Sequence, residues 1–206
     1  MSHLHAELRQ RAEEIVSLYP RPRSAMLPLL HLVQEQDGYV SDEGLAEVAE
    51  LTGTSPAEVR GTASFYDMFH LAPVGRYVVG VCTNIACLLS GGEAMLAHAA
   101  DALGCAVGAT SGDGLFTLEE TECLADCDRA PCVQVNHRYV RTTTAAAFDA
   151  LVAELRAGEC DAEIPPHGTL IRVRRSGALH VDADHLATER ATALAARAAR
   201  AGAGGA

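Results

Sequence analysis

The sequence contains no apolar run approaching the ~18 residues needed to cross a bilayer, which argues against direct membrane insertion. Its first twenty residues, MSHLHAELRQRAEEIVSLYP, carry charges throughout and lack the apolar stretch of a secretory signal. Basic residues are scarce, 16 against 27 acids for a formal net charge of −11, and nucleic acid is a poor expectation as a partner. Lysine is absent altogether, and nothing in the sequence supplies a physical reason for that. Tryptophan is absent too, and aromatic residues make up 4% of the chain. No strand is followed by G-x-G-x-x-G opening a helix, so no dinucleotide fingerprint is present. No Cys-x2-Cys stands at the first strand end, where a disulfide enzyme of the thioredoxin type would need it. None of the nine histidines forms a helical pair beside a glutamate of the kind that binds zinc. No internal repeat is visible.

What remains is a globular composition, 49% hydrophobic and 21% charged over 206 residues, with seven cysteines. An odd cysteine count without an export signal disfavours a disulfide framework and leaves metal binding, redox chemistry or burial. The charge is uneven. Residues 166–206 hold six arginines against Asp182, Asp184 and Glu189, a net of +3, and the preceding 165 residues carry −14.

Residues 1–72 read as a small helical module. The first helix spans roughly 3–18 and stops at Tyr19-Pro20 and Arg21-Pro22. A second runs from near Ser24 to Asp37-Gly38, with Leu27, Leu30, His31 and Gln34 spaced along it. Ser41 caps a third, ended by Gly53, and Ser55-Pro56-Ala57-Glu58 opens a fourth with a capping box. From Pro73 the period changes. Arg76–Cys82 reads as a strand, and Ser90-Gly91-Gly92-Glu93 as a capping box opening a helix that runs to Gly104. Phe116–Glu122 reads as a second strand. Cys132–Val135 and Tyr139–Arg141 read as a hairpin around Asn136-His137-Arg138, and Thr144 caps a last helix closing at Gly158. This order predicts an α+β fold: the helical module, a thioredoxin-like domain over 73–160, and a C-terminal extension over 161–206. Within the extension, a hairpin is expected at 169–181, then an Ala- and Arg-rich helix and an unstructured AGAGGA end.

Cys82 and Cys87 are separated by four residues and Cys123 and Cys127 by three. Each pair follows a predicted strand, and two strand ends of one small sheet can bring four thiols to one point. Thiolate sets of this kind hold iron–sulfur centres or zinc. Structural zinc favours two residues inside each pair, so spacings of four and three favour iron–sulfur; burial without metal is the bland alternative. Asn84, Gly91 and Gly92 leave room for backbone to approach such a centre.

The stretches ASFYDMFHLAPVGRYVVGVCTNIACLLSGGE and GDGLFTLEETECLADCDRAPCVQVN closely resemble the 24-kDa-subunit family of respiratory NADH:quinone oxidoreductase, complex I, over roughly residues 24–158. The resemblance implies a thioredoxin-like domain with one [2Fe–2S] cluster, whose ligands would be Cys82, Cys87, Cys123 and Cys127. It implies an electron-transfer role beside the flavoprotein subunit that binds NADH and FMN, together with other peripheral-arm subunits. The chain itself would bind neither nicotinamide nor quinone, and would lie at the cytoplasmic periphery of the inner face of the membrane. Related chains serve NAD-linked hydrogenases and formate dehydrogenases, which is the first alternative; a structural zinc module and a freestanding ferredoxin are others. Cys132 falls where members of that family commonly carry an apolar residue, and five residues after Cys127 it is a conceivable substitute ligand. Packing at a strand start is the commoner fate of such a residue.

Glu119, Glu120, Glu122, Asp126 and Asp128 crowd the second pair in sequence. If they face a cluster, they oppose the charge added on reduction and lower its potential, toward the roughly −400 mV of plant-type ferredoxins. The alternative is a solvated, screened surface. Arg76 and Arg129 are expected to pair with acids, His3 and His5 to be solvated, His137 to sit in a turn, and Phe65, Tyr66 and Phe69 to serve a core or interface. Cys105 and Cys160 read as ordinary packing or surface residues.

Overall fold

The computed structural model describes residues 2–169. The hairpin, helix and unstructured end expected beyond them lie outside the described residues.

The first four helices are α1 (Ala6–Ser17), α2 (Met26–Asp37), α3 (Asp42–Thr52) and α4 (Pro56–Ala63), with one 3-10 turn at Pro22–Ala25 ahead of α2. Their ends follow local chemistry. Ser41 accepts the Gly44 N–H, Ser55 and Glu58 form the reciprocal capping box, and α2 and α3 stop at Gly38 and Gly53 with left-handed backbone. Leu8, Ala12, Leu29, Leu30, Val33, Leu45, Val48, Val59 and Phe69 make their shared core. Phe69 is the buried member of the aromatic trio, whereas Phe65 is exposed with its ring edge against Tyr66.

His3 and His5 are not simply solvated. His5 caps α1 by accepting the Leu8 N–H, and His3 Nε2 lies 2.7 Å from Asp37 Oδ2. The N-terminus is anchored by Glu47, a buried carboxylate that accepts hydrogen bonds from Ser2 Oγ, the backbone N–H groups of His3 and Leu4, and Arg9. Burial alone would raise the Glu47 pKa, but these donors outweigh it and hold the group below the ordinary carboxylate range. Glu47 is i+44 from His3, so local spacing gives no sign of this anchor.

The remaining elements are β1 (Tyr77–Cys82), α5 (Ile85–Leu89), α6 (Gly92–Leu103), β2 (Phe116–Thr121), β3 (Val133–Val135), β4 (Arg138–Val140) and α7 (Ala145–Ala157). The sheet order is β2-β1-β3-β4; β1 and β2 are parallel and the other pairings antiparallel. All six residues of β1 are buried, as an unbroken apolar run at the sheet centre requires. Met95, Ala99 and Leu103 of α6 and Phe148, Val152 and Leu155 of α7 pack with Tyr77, Val79, Val81, Phe116 and Leu118, forming a second core. Asn136 and His137 both have positive φ, 48° and 62°, and join β3 to β4 as a two-residue turn. Arg138 therefore belongs to the strand and not to the turn.

The capping box expected at Ser90–Glu93 is not formed. Residues 85–89 already make α5, and Ser90 Oγ turns back to donate to the Ala86 carbonyl. Gly91 takes the N-cap position of α6 with φ +93° and no side-chain cap.

Beside Glu119 of β2 the fold gathers histidines that are far apart in sequence. His70 Nε2 is 3.0 Å from Glu119 Oε1, and its ring lies edge-on to His167 with centroids 4.7 Å apart. The chain there is held by Gln34, which accepts the His70 N–H and donates to the Met68 carbonyl, and by the His167 N–H on the Arg76 carbonyl. Burial lowers the pKa of His31 and His137, and together with the charges of His70 and His137 brings His167 down to about 4, against the opposing pull of Glu119. Each of these imidazoles therefore takes up its proton at a lower pH in the folded chain than in the unfolded one, where a histidine titrates near 6.5. Below about pH 6.5 the unfolded chain takes up protons the folded chain refuses, so stability is full above that pH and is lost as pH falls toward 4. Between pH 7 and 5 the loss from His167 is expected to be about 1–2 kcal/mol, allowing for its partial solvent screening. Denaturant titrations of the full chain at both pH values measure it, and His167→Phe, which keeps an aromatic ring but cannot titrate, is expected to flatten the difference. An unchanged pH dependence in that variant would refute the assignment.

Candidate metal centre

Because β1 and β2 are adjacent and parallel, their carboxyl ends point the same way, with Cys82 opposite Thr121 in the register. The loops that follow them are therefore neighbours. Cys82 is the last residue of β1, and Cys87 lies in α5, whose start is set by Asn84 accepting the Ile85 N–H. Cys123 stands two residues beyond β2, and Cys127 opens a 3-10 turn at Cys127–Arg129.

Two side-chain pairs staple the loops together. Thr83 Oγ1 donates to Glu120 Oε1 at 2.6 Å, and Asn84 Nδ2 to Glu122 Oε2 at 3.0 Å. Thr83 and Asn84 are two of the four residues inside the first cysteine pair, and both acids come from the second strand and its loop. Glu119 does not join them. Strand alternation sends it to the opposite face, where His70 holds it below the ordinary carboxylate range, correcting the expectation that it crowds the cysteines. Asp126 pairs with Arg129 at 3.4 Å, and Arg76 with Asp161. Both arginines thus take the acidic partners expected of them.

Cys82 and Cys87 are buried, whereas Cys123 and Cys127 are exposed. The Cys123 and Cys127 sulfurs lie 3.8 Å apart. Two thiolates on one tetrahedral metal at ~2.3 Å subtend an S···S edge of ~3.8 Å, so this pair already has the bite of a chelate. The Cys127 thiol is raised in pKa by its hydrogen bond to Cys123 and by the Cys123 charge, then by burial, and then by the charges of Cys87 and Cys82, which places all four within electrostatic reach. Among the described residues no three His, Cys, Asp or Glu side chains are closed into a metal-holding geometry. The thiols are arranged as a buried pair and an exposed pair. An all-sulfur donor set in two pairs, one of them already at chelating distance, is of the kind that suits a centre spreading four ligands over two irons.

The cradle beneath the buried pair is tight. A Cβ on Gly92 would come within 2.8 Å of the Cys82 carbonyl oxygen and 2.9 Å of that of Cys87. Cys132 is buried against both, forming a small cluster flanked by Leu124 and Ala130. Its thiol is pushed up to about 12 by burial first and then by the neighbouring Cys87 thiol. Cys105 and Cys160 are half-buried and pack against the second core, away from this point. The outer surface of α5 presents Ile85 and Leu89 to solvent. The cysteine pattern marks the centre in sequence, but the staples Thr83–Glu120 and Asn84–Glu122 do not show there, since pairing across β1 and β2 is what makes them.

Residues 12–156 match the thioredoxin-like [2Fe–2S] ferredoxin family. The chain is 41% identical over 150 residues to NADH-quinone oxidoreductase subunit 2 of Thermus thermophilus, covering 71% of this chain and 83% of that one. It is 40% identical over 152 residues to an NADH-quinone oxidoreductase subunit of Rhizobium meliloti, with 74% and 90% covered. With an NADH-quinone oxidoreductase subunit of Mycobacterium tuberculosis the identity is 44% over 152 residues, and this chain spans 60% of that relative. Among solved structures, the crystal structure of an air-oxidised NAD+-reducing [NiFe]-hydrogenase superposes with a TM-score of 0.57 at 28% identity, over 65% of this chain. This chain spans only 23% of the hydrogenase chain. Among the described residues no helix is long and apolar enough to cross a membrane.

Proposed function

Since this chain belongs to the thioredoxin-like [2Fe–2S] ferredoxin family, we propose that it is the electron-transfer subunit of an NADH:quinone oxidoreductase, holding one [2Fe–2S] cluster on Cys82, Cys87, Cys123 and Cys127. The observation that carries this reading is the convergence of two cysteine pairs at the ends of adjacent parallel strands, stapled by Thr83–Glu120 and Asn84–Glu122. Bound there, the cluster would supply one-electron transfer, exchanging with the FMN of an NADH-binding partner subunit.

The chain's own residues do the rest. Burial of Cys82 and Cys87 excludes water from one side of the site, while the exposed Cys123 and Cys127 place the other side at the surface, where a partner can approach. Glu120 near the end of β2, and Glu122 and Asp126 on the loop after it, disfavour additional negative charge there. With all four thiols engaged, no position is left for substrate, and NADH and quinone belong to other subunits. Residues 1–72, with their own core, serve as a docking module, 73–160 form the cluster domain, and 161–206 form an extension. The assembled complex would hold the chain at the cytoplasmic face of the membrane.

Anaerobic purification of the full chain, followed by visible absorption and EPR, tests the reading. A brown protein giving a rhombic S = 1/2 signal on reduction, with a midpoint around the roughly −400 mV of all-cysteine plant-type clusters, is the expected result. A colourless protein with stoichiometric zinc would reject the cluster, and a midpoint near zero would reject the electrostatic argument. The match to the hydrogenase structure favours a second reading, the corresponding subunit of an NAD-linked hydrogenase. Hydrogen-dependent NAD+ reduction by the co-purified complex would select it.

A further inference from the structure

We propose that Cys132 is a positioning residue whose thiol clamps the Cys123–Cys127 loop while its main chain holds the buried Cys82–Cys87 pair. The inference deepens the proposed function and rests on its ligand set.

Three contacts carry it. The Cys132 carbonyl accepts the Cys82 N–H at 3.0 Å, and the Cys132 N–H donates to Cys87 Sγ at 3.4 Å. Both belong to the backbone and survive a change of side chain. The third does not: Cys132 Sγ donates to the carbonyl of Asp126, the residue immediately before Cys127, at 3.0 Å. One residue thus touches both halves of the site.

The loop needs such a tie. Its own bonds are local, the Arg129 N–H and side chain returning to Asp126, and the reach from β4 is Tyr139 Oη donating to the Leu124 carbonyl at 2.6 Å. Tyr139 therefore secures one end of the exposed loop and Cys132 the other. The Cys132 thiol is occupied by a backbone carbonyl and buried beside Cys82 and Cys87, which is the place of a support and not of a fifth ligand. A thiol donor here also differs from mere apolar filling, because Asp126 O, which accepts the local Arg129 N–H at 3.0 Å as well, would lose the bond that ties it to Cys132 beside the buried pair.

Serine and valine separate these roles. Cys132→Ser keeps a donor, and Cys132→Val keeps apolar bulk without one. In the anaerobically purified full chain, the serine variant is expected to match the parent in iron content, EPR g values and rate of iron release to a chelator. The valine variant is expected to release iron about five-fold faster, the worth of one net hydrogen bond, with an altered EPR line shape. A valine variant indistinguishable from the parent would reduce Cys132 to packing and overturn the clamp. A serine variant with lost iron or shifted g values would make Cys132 a ligand and overturn both the clamp and the ligand set. Hydrogen exchange of residues 123–129 in the metal-free chain provides a readout independent of the cluster. Faster exchange in the valine variant than in the parent or the serine variant supports the clamp, and equal rates reject it. A parent chain that never holds iron would defeat the proposed function, while the exchange comparison would still decide the clamp.

Discussion

Cys87→Ser is expected to leave a folded chain that no longer retains iron, with occupancy at least about tenfold below the parent and the reduced EPR signal lost. Cys87 lies 1% exposed in α5, within reach of Cys82 and Cys132, so its sulfur has no solvent to replace it. A serine oxygen is harder and sits on a shorter bond, so it meets neither the distance nor the softness of a thiolate position. The backbone around it is set by the Asn84 cap, which does not depend on the thiol, and the Cys132 N–H that donates to Cys87 Sγ can donate to a serine oxygen in its place. Circular dichroism of the variant should therefore overlay the parent while iron analysis does not. Cys105→Ser and Cys160→Ser serve as controls, because both residues pack against the second core and not at the four-thiol point. A Cys87→Ser chain with full iron and the parental signal would remove Cys87 from the ligand set and with it the proposed function in its present form.

Gly92→Ala should be nearly as damaging for a different reason. The added Cβ would stand under 3 Å from the carbonyl oxygens of both Cys82 and Cys87, so the two backbone segments carrying these buried thiols must separate. Overpacking of this kind costs about 1–3 kcal/mol, which for a chain of this size lowers Tm by roughly 2–10 °C. The displacement falls on the thiols, so iron retention should drop as well. Gly91 is the informative neighbour. Its φ of +93° strains any side chain, yet a Cβ there would meet nothing within 4 Å. Gly91→Ala is expected to lower Tm while iron content stays at the parental level. If Gly92→Ala retained iron as well as Gly91→Ala, the cradle argument would fail. Differential scanning calorimetry with iron analysis on both variants checks the pair.

Much of the fold is legible because its signals are local. Ser41, Ser55 with Glu58, and Thr144 cap helices in the structure as their sequences dictate, and β1 is central because an uninterrupted apolar run fits only there. The Ser90–Glu93 box misleads for a reason of the same scale. α5 already occupies 85–89, so the Ser90 hydroxyl completes the end of that helix instead of opening the next. The roles of His3, His5 and Glu47 are illegible in the sequence because the partners of His3 lie on the second and third helices, those of Glu47 at the N-terminus and on the first, and His5 bonds to the helix it caps.

The sequence alone determined the family, the α+β order of elements and the presence of two cysteine pairs with spacings of four and three. Those are properties of composition and short-range period, which survive without knowledge of the register. Only the tertiary structure decided which acids accompany the thiols. Alternation along β2 sends Glu119 to His70 and leaves Glu120 and Glu122 to bridge the loops, and a one-residue slip would exchange those roles. The same convergence gathers His70, His137 and His167 from three distant segments and sets Cys132 between two cysteine pairs, because contacts across a sheet depend on which strands are neighbours and not on how far apart they stand in the chain.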